Sequence, residues 1–143
     1  MSAPRCTNLA RLLVGIVFVW NVQCALAFLI RPEAYAAGFE LTGAVGQAVM
    51  QSLGVLFLMW NVPYAVALWH PVRYKTALFE AVTMQAIGVA GESWILWGLG
   101  HEHAILQSSI TRFIWFDAAG LALLLVAAWL VVKNSNNSVG AHG

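Results

Sequence analysis

An all-α integral membrane protein, built as a bundle of four transmembrane helices, is the fold class that this sequence predicts. Hydrophobic residues make up 61% of the 143 residues and charged residues only 9%, whereas soluble domains carry roughly 25% charged residues. Four apolar runs reach the roughly 20 residues that span about 30 Å of hydrocarbon as a helix. Helices are favoured because hydrocarbon offers no partner for unpaired backbone groups.

The four predicted spans and their short links occupy nearly the whole chain. We therefore expect one transmembrane domain over residues 1–133 and no second, soluble domain. The spans are predicted at about 9–30, 45–69, 77–99 and 113–132. Residues 134–143 are rich in Asn, Ser and Gly, a composition typical of disorder, so they predict a disordered cytoplasmic tail.

Local signals define the ends and bends of these elements. Span 1 is predicted to end at Arg31, because Pro32 disfavours helical geometry in the residue before it. In the first outer link, Tyr35 and Phe39 are four residues apart, which favours a short helix lying in the membrane interface. Pro63 predicts a kink in span 2, since proline has no N–H to donate to the helix.

The distribution of basic residues predicts the orientation in the membrane. Four spans place five Lys and Arg residues on one side and two on the other. The positive-inside rule then puts both termini in the cytoplasm. The five are Arg5, Arg11, Arg73, Lys75 and Lys133, and the two are Arg31 and Arg112.

Polar residues from all four predicted spans fall in one layer near the extracytoplasmic side. At about 1.5 Å per residue, Glu92 is expected about 9 Å and Asp117 about 6 Å below that side, with Arg112 just above Asp117. A charge at this depth is costly unless it is paired or hydrated, so the layer is the candidate functional site. Its other members are Asn21 and Gln23 in span 1 and Gln47 and Gln51 in span 2.

Helical periodicity favours an inward-facing pocket. In spans 2 and 3, polar and small residues recur at helical spacing along one face, and such stripes turn inward in membrane bundles. The stripe of span 2 is Gln47, Gln51, Gly54, Leu58, Asn61 and Ala65, and that of span 3 is Glu80, Met84, Gly88, Gly91, Glu92 and Ile95.

The charged residues of the layer allow three roles. Arg112 is predicted to pair with Glu92, in which case the cluster serves only to join helices. Alternatively, Arg112 receives an anionic head group while Trp94 and Trp115, which also suit an aromatic belt, hold the apolar body. In the third role, Glu92 and Asp117 act as general acid and base.

Other kinds of site are not favoured. A net charge of +1 gives no basic surface for nucleic acid. His101, Glu102 and His103 form a ligand-like triplet, but they lack the helical i, i+4 spacing and further ligands of a metal site. We therefore expect neither a metal nor another cofactor.

Arg11–Gly15 open span 1, Pro32 to Phe39 form the first outer link, and Gly54 lies in span 2. In these features, and in length and span count, the chain resembles the DoxX-like group of small four-helix bacterial membrane proteins over about its first 70 residues. The resemblance implies a bacterial inner-membrane protein loosely linked to redox or quinone-related systems. A glutamate usual in the second span of that group is absent, and Gln51 and Ser52 stand in its vicinity.

Three functions follow as hypotheses. The first is a non-enzymatic protein that binds a lipid or a small amphiphile, quinone-like ligands included, or that serves as an accessory subunit of a membrane complex. The second is a membrane enzyme acting on a lipophilic substrate through Glu92 and Asp117. The third is a purely structural subunit that packs on partners or on further copies of itself. The first is the function that the sequence favours, and the other two are its alternatives.

Overall fold

The computed structural model describes the backbone of residues 3–139 and the side chains of residues 4–134. Throughout this part of the chain the regular secondary structure is helical, which confirms the all-α prediction. The helices are α1 (Ala3–Ile30), α2 (Pro32–Ala36), α3 (Gly43–Trp60), α4 (Val62–Trp69), α5 (Lys75–Gly98) and α6 (Ala104–Val139), and a 3₁₀ turn (Ala37–Phe39) follows α2.

Three helical segments are long and apolar enough to cross a membrane. They are Pro4–Ile30, Gly43–Trp69 (α3 with α4) and Ala104–Asn134. Helix α5 forms where the third span was predicted, but it is not one of these three segments of the described chain. Its apolar residues are interrupted by Gln85 and Glu92, which lower its mean hydropathy.

Helix α6 is longer than predicted at both ends. It begins at Ala104, nine residues before the predicted start at residue 113. Asp117 therefore lies thirteen residues into the helix, about 20 Å from its first residue rather than the predicted 6 Å or so. At the other end, α6 runs to Val139, so residues 134–139 are helical where the sequence predicted disorder. Residues 140–143 of the predicted tail lie outside the described residues.

The kink predicted from Pro63 is confirmed as a break between α3 and α4. Helix α3 ends at Trp60, and α4 begins at Val62 with proline in its first turn, where a missing N–H costs nothing. Asn61 occupies the break, and its side-chain Nδ2 donates a hydrogen bond of 2.6 Å to the Phe57 carbonyl. The buried side-chain amide of Asn61 therefore lies at the break between α3 and α4.

The short helix predicted in the first link is also confirmed. Helix α2 and the 3₁₀ turn fold back onto α1, where the Phe28 ring contacts Tyr35 at 5.1 Å and Phe39 at 6.3 Å between centroids. Glu40 ends the turn in a left-handed conformation with φ of 57°. The link is therefore packed against the helices rather than extended away from them.

The helices pack around α1, which contacts α3, α4 and α6, while α5 contacts α4 and α6. Two buried clusters lie at opposite ends. Where α1 begins and α6 ends, small and aliphatic side chains such as Val14, Leu78 and Leu124 pack fully buried. Near α2, the cluster is built on Phe28 and Met50. We call these two regions the terminal end and the α2 end.

Close approach of α1 and α3 depends on Gly54. A Cβ at this position would lie 2.8 Å from the Ala25 carbonyl oxygen and 2.9 Å from the Leu29 side chain. Because the first of these neighbours is backbone, a larger residue would force the two helices apart. The contact closes one side of the space between the helices.

Candidate functional site: a cavity between the helices

A cavity of about 700 Å³ lies between the two buried clusters. All four long helical segments, together with the 3₁₀ turn, contribute to its lining, which combines aromatic, aliphatic and polar side chains. The aromatic and aliphatic lining residues are Phe28, Phe39, Leu53, Phe57, Trp60, Met84, Ile87, Ile95, Leu106, Ile110, Phe113 and Phe116. The polar and small lining residues are Asn21, Cys24, Asn61, Tyr64, Gln85, Gly88, Gly91, Glu92 and Asp117.

Aromatic rings form the wall of the cavity toward the α2 end. Phe28 is fully buried at the centre of this group, with ring centroids 5.7 Å from Phe57 and 5.9 Å from Phe113. Phe39 packs against Phe113 at 5.8 Å, which extends the wall to the 3₁₀ turn. Trp60 continues it along α3 through contact with Phe57 at 5.8 Å. Rings in tilted and offset arrangements of this kind stabilise one another and present both faces and edges to a ligand.

A chain of hydrogen bonds crosses the cavity from α4 to α6. The Tyr64 hydroxyl donates to Gln85 Oε1 at 2.6 Å, and Gln85 Nε2 donates to Asp117 Oδ1 at 2.7 Å. The Asn21 side chain on α1 also lies in hydrogen-bonding contact with the Tyr64 hydroxyl. Gln85 is only 4% exposed, so water has little access to replace the hydrogen-bond partners of its amide. The chain fixes the orientation of Asp117 and joins α4, α5 and α6.

Two glycines make room for this chain. A Cβ at Gly88 on α5 would collide with the Asp117 carboxylate, and a Cβ at Gly120 on α6 would lie 2.8 Å from Gln85 Nε2. Gly91, in contrast, faces open space on the cavity side of α5. The glycines at positions 88 and 120 thus allow α5 and α6 to approach with polar groups between them.

Two polar atoms of the cavity are buried without a hydrogen-bond partner in the described chain. They are Asn61 Oδ1 and Glu92 Oε2. Asn61 is 5% exposed, and its Nδ2 is held by the Phe57 carbonyl, which can only accept. The amide orientation is therefore fixed, with Oδ1 unsatisfied. Leaving such an atom unpaired costs roughly 1–3 kcal/mol, and the explanations in native proteins include strain, a catalytic role and a bound water, ion or other molecule.

The structure brings three of the predicted site residues into this cavity: Asn21, Glu92 and Asp117. The predicted stripe of α5 also faces it, through Met84, Gly88, Gly91, Glu92 and Ile95. Glu80, at the start of that stripe, does not line the cavity.

The other predicted site residues lie elsewhere. Gln23 and Gln47 are exposed, and Gln51 Nε2 donates to the Leu29 carbonyl at 3.4 Å outside the cavity. Trp94 and Trp115 are 71% and 73% exposed and face away from the lining. Their exposure fits the alternative that such tryptophans contact the membrane interface.

The predicted ion pair between Glu92 and Arg112 is wrong. Arg112 is exposed and donates from its guanidinium to Ser109 Oγ at 3.1 Å, while Glu92 Oε2 has no partner among the described residues. The physical reason is the early start of α6. Arg112 is five residues before Asp117 within one helix, which turns it about 140° away from the Asp117 face.

Four polar residues of the cavity were not assigned to the site from the sequence: Cys24, Asn61, Tyr64 and Gln85. Gln85 carried a usable signal, because it precedes Gly88 by three and Glu92 by seven, on the same face of a helix. Asn61 belonged to the predicted stripe of span 2 and stands two residues before Pro63. For Tyr64 and Cys24 the sequence offers no comparable signal.

Above the aromatic wall, Glu40 ties the first link to the start of α6. Its Oε2 lies 2.6 Å from His103 Nδ1, and its Oε1 accepts from the Leu106 backbone N–H at 3.5 Å. The hydrogen bond to His103 holds the pKa of Glu40 below its ordinary 4.5, and the same contact raises the pKa of His103 above 6.5. Phe39 and Leu106, the neighbours of this contact, both line the cavity.

The triplet of His101, Glu102 and His103 does not assemble a metal site in the described chain. His103 is engaged with Glu40 and lies 4.0 Å from Glu102, and no group of three or more His, Cys, Asp or Glu side chains converges there. Through His103, the triplet contacts Glu40 and so joins the link before α6 to the first outer link.

No family model, curated protein or solved structure matches this chain. The resemblance to the DoxX-like group therefore stays a prediction, and the function has to be argued from the cavity.

Proposed function

We propose that this chain is a multi-pass membrane protein that binds a lipid or small amphiphile in the cavity between its helices. The observation that supports it best is a cavity of about 700 Å³ with an aromatic wall and two buried acceptor atoms that no described protein group satisfies. Cavities of roughly 300–1,000 Å³ with apolar walls and a few placed polar groups are typical small-molecule sites. An amphiphile matches this division into an apolar wall and a polar side.

The proposed membrane arrangement has four crossings. The α1, α3–α4 and α6 segments have the length and composition for three of them, and α5 packs against α4 and α6 as the fourth. Two of the polar residues that lower the hydropathy of α5, Gln85 and Glu92, face the cavity rather than the lipid. The five-to-two distribution of basic residues supports cytoplasmic termini. The resemblance described above supports the bacterial inner membrane.

A second candidate function is a membrane enzyme acting on a lipophilic substrate. The observation that favours it is that two carboxyl groups line one cavity in different surroundings: Asp117 is oriented by Gln85, and Glu92 Oε2 has no partner. Such a pair supplies the two protonation states that general acid and base catalysis requires. Chemical conversion of a retained molecule by the wild-type protein, lost in Glu92→Gln, would distinguish this function from simple binding.

The binding proposal is tested by filling the cavity from a position where the structure has space. Gly91 lines the cavity and a Cβ added there meets nothing within 4 Å, whereas a Cβ added at Gly98, on the same helix, is equally free of contacts but lies outside the cavity. Gly91→Phe and Gly98→Phe therefore form a matched pair. Mass spectrometry would measure the amphiphile that co-purifies with each variant and with the wild-type protein.

We expect an amphiphile at near-stoichiometric amounts in the wild type and in Gly98→Phe, and its loss in Gly91→Phe. Equal contents in all three proteins would show that the co-purified molecules coat the outer surface. That result would contradict binding in the cavity and favour a purely structural or accessory role.

A further inference from the structure

We propose that the cavity selects an organic cation, a primary ammonium group carried on an aromatic or aliphatic body. This inference rests on the proposed function and names the class of ligand. It replaces the anionic head group that the sequence suggested, because that suggestion depended on Arg112. Three features of the cavity support an organic cation: the charge of the lining, the hydrogen-bonding character of its unsatisfied atoms, and the aromatic wall.

The charge of the lining has one sign. Glu92 and Asp117 both face the cavity, and no Lys, Arg or His is among the described residues that line it. Arg112, which the sequence placed in this layer, is exposed and contacts Ser109. An anionic head group would meet two carboxyl groups and no compensating cation, whereas an ammonium group would supply the missing partner.

The unsatisfied atoms of the cavity are both oxygens. Asn61 Oδ1 is an acceptor, and Glu92 Oε2 is one in the ionised form, which a neighbouring ammonium group favours. Asn61 Oδ1 and Glu92 Oε2 have no partner among the described residues, while three neighbouring donors are already engaged. Asn61 Nδ2 donates to the Phe57 carbonyl, Gln85 Nε2 donates to Asp117, and the Tyr64 hydroxyl donates to Gln85. A ligand that completes this arrangement therefore has to bring N–H or O–H donors. A primary ammonium group has three donors and no acceptor, as the lysine side chain does.

The aromatic wall suits the same ligand. The face of an aromatic ring is negative, so a cation within about 6 Å of a ring centroid is attracted to it. Phe57 and Trp60 contact each other on α3 and line the same cavity as Asn61, which carries one of the two unsatisfied acceptors. The rings further toward the α2 end, Phe28 and Phe113, accommodate an apolar body.

The experiment compares three molecules that share a body and differ in the head. Phenylhexylamine is the ammonium, phenylhexanol is the neutral donor, and phenylhexanoate is the anion. Binding would be measured by equilibrium dialysis with the full-length protein in nanodiscs of phosphatidylcholine. Empty nanodiscs would correct for partition of each probe into lipid.

We expect saturable binding of the ammonium with a Kd at least about tenfold lower than that of the alcohol, the factor that one charge-assisted contact supplies. The anion should bind more weakly than the alcohol. Glu92→Gln keeps the shape of the side chain and removes its charge, so it should reduce the preference for the ammonium over the alcohol about tenfold. Glu80→Gln, on the same helix but exposed and outside this cavity, should leave the preference unchanged.

Each other result overturns the inference. If the alcohol or the anion binds as tightly as the ammonium, the cavity binds amphiphiles but does not select cations, and the proposed function stands without the inference. The same conclusion follows if the alcohol and the ammonium both bind to Glu92→Gln with the Kd that they have for the wild type. If none of the three probes binds saturably to the wild type, the inference and the proposed binding function both fail.

Discussion

Two acid-bearing regions of this molecule differ in how completely the protein satisfies them. Above the aromatic wall, both carboxylate oxygens of Glu40 have partners, one in the His103 ring and one in the Leu106 backbone N–H. In the cavity, one oxygen of Asp117 accepts from Gln85, and Glu92 Oε2 has no partner among the described residues. The Glu40 contact is structural, because it joins two links and leaves neither carboxylate oxygen without a partner for a ligand to supply.

In a chain with so few charged residues, the acid that the protein leaves unpaired is the better candidate for function. A charged group that the protein has already paired can be understood from folding alone. A buried acceptor without a partner is costly, and a bound molecule or a reaction that uses the group is one physical reason for a protein to keep it. The comparison thus separates Glu40 from Glu92, although both are glutamates near the same cavity.

The largest loss of stability is expected from Gln85→Leu, which interrupts the hydrogen-bond chain. The variant removes the donor to Asp117 Oδ1 and the nearer acceptor of the buried Tyr64 hydroxyl, which keeps only the Ala81 carbonyl at 3.2 Å. We expect a loss of roughly 2–4 kcal/mol of stability, roughly 1–3 kcal/mol for the stranded Asp117 oxygen and about 1 kcal/mol for the lost Tyr64 hydrogen bond. Thermal unfolding in detergent would measure it.

Gln51→Leu is the matched control for that variant. Gln51 is exposed and makes a single 3.4 Å bond to the Leu29 carbonyl. Its replacement should change stability by no more than about 0.5 kcal/mol. Equal losses from the two glutamine variants would show that the chain through Gln85 contributes nothing beyond an ordinary surface contact.

A smaller effect is expected from a single added methyl group on α5. In Gly88→Ala the new Cβ collides with the Asp117 carboxylate, which has to turn away from Gln85 or push α6 outward. Overpacking of this kind typically costs about 1–3 kcal/mol. Gly91→Ala, one turn further along, meets open space and should be neutral or stabilising by up to about 1 kcal/mol through helix propensity.

Thermal unfolding and ligand content of the two alanine variants would be compared. Gly88→Ala should lose both stability and bound amphiphile, and Gly91→Ala should keep both. If the two variants behave alike, the close approach of α5 to Asp117 does not matter for the site.

The smallest effect belongs to the exposed contact between Glu40 and His103. The pKa of Glu40 is held below 4.5, so its contribution is present above that pH and is lost as the pH falls through the lowered value. The pKa of His103 is raised above 6.5, so its contribution is present below that pH and is lost as the pH rises through the raised value. The contact should therefore stabilise the protein most between about pH 4.5 and 6.5.

An NMR titration of His103 would check this interpretation. In the wild type we expect a pKa above 6.5, and in Glu40→Gln a return to the ordinary value, with a difference in Tm that is largest within the stated window. The same titration curve in both proteins would contradict the contact.

The sequence predicted helices, the break at Pro63 and part of the cavity, because each depends on local chemistry. Proline removes one donor wherever it stands, and the stripe of Gly88 and Glu92 follows from helical spacing alone. The pairing of Arg112 failed because it depended on where α6 begins. The sequence 104–112 mixes polar and apolar residues, so its helical geometry depends on packing against the rest of the molecule.

The contacts of Asn61 and Tyr64 could not be predicted for a related reason. Pro63 indicates that the helix breaks, but the direction of the Asn61 amide depends on which carbonyl is left nearby, and that is Phe57. Tyr64 reaches Gln85 only because α4 packs against α5. Such contacts arise from tertiary packing, which hydropathy and periodicity do not encode.

The thermal stability of Glu92→Leu in ligand-free, delipidated protein, beside that of Asp117→Leu, tests most directly whether Glu92 is left unpaired for a ligand. If Glu92 Oε2 has no protein partner, removing it relieves a buried unsatisfied group, and the Tm should stay the same or rise while amphiphile binding is lost. Asp117→Leu should lower the Tm, because it strands the Gln85 amide. A fall in Tm for Glu92→Leu as large as that for Asp117→Leu would show that Glu92 is held by the protein itself, and would contradict a cavity whose acid is kept for a ligand.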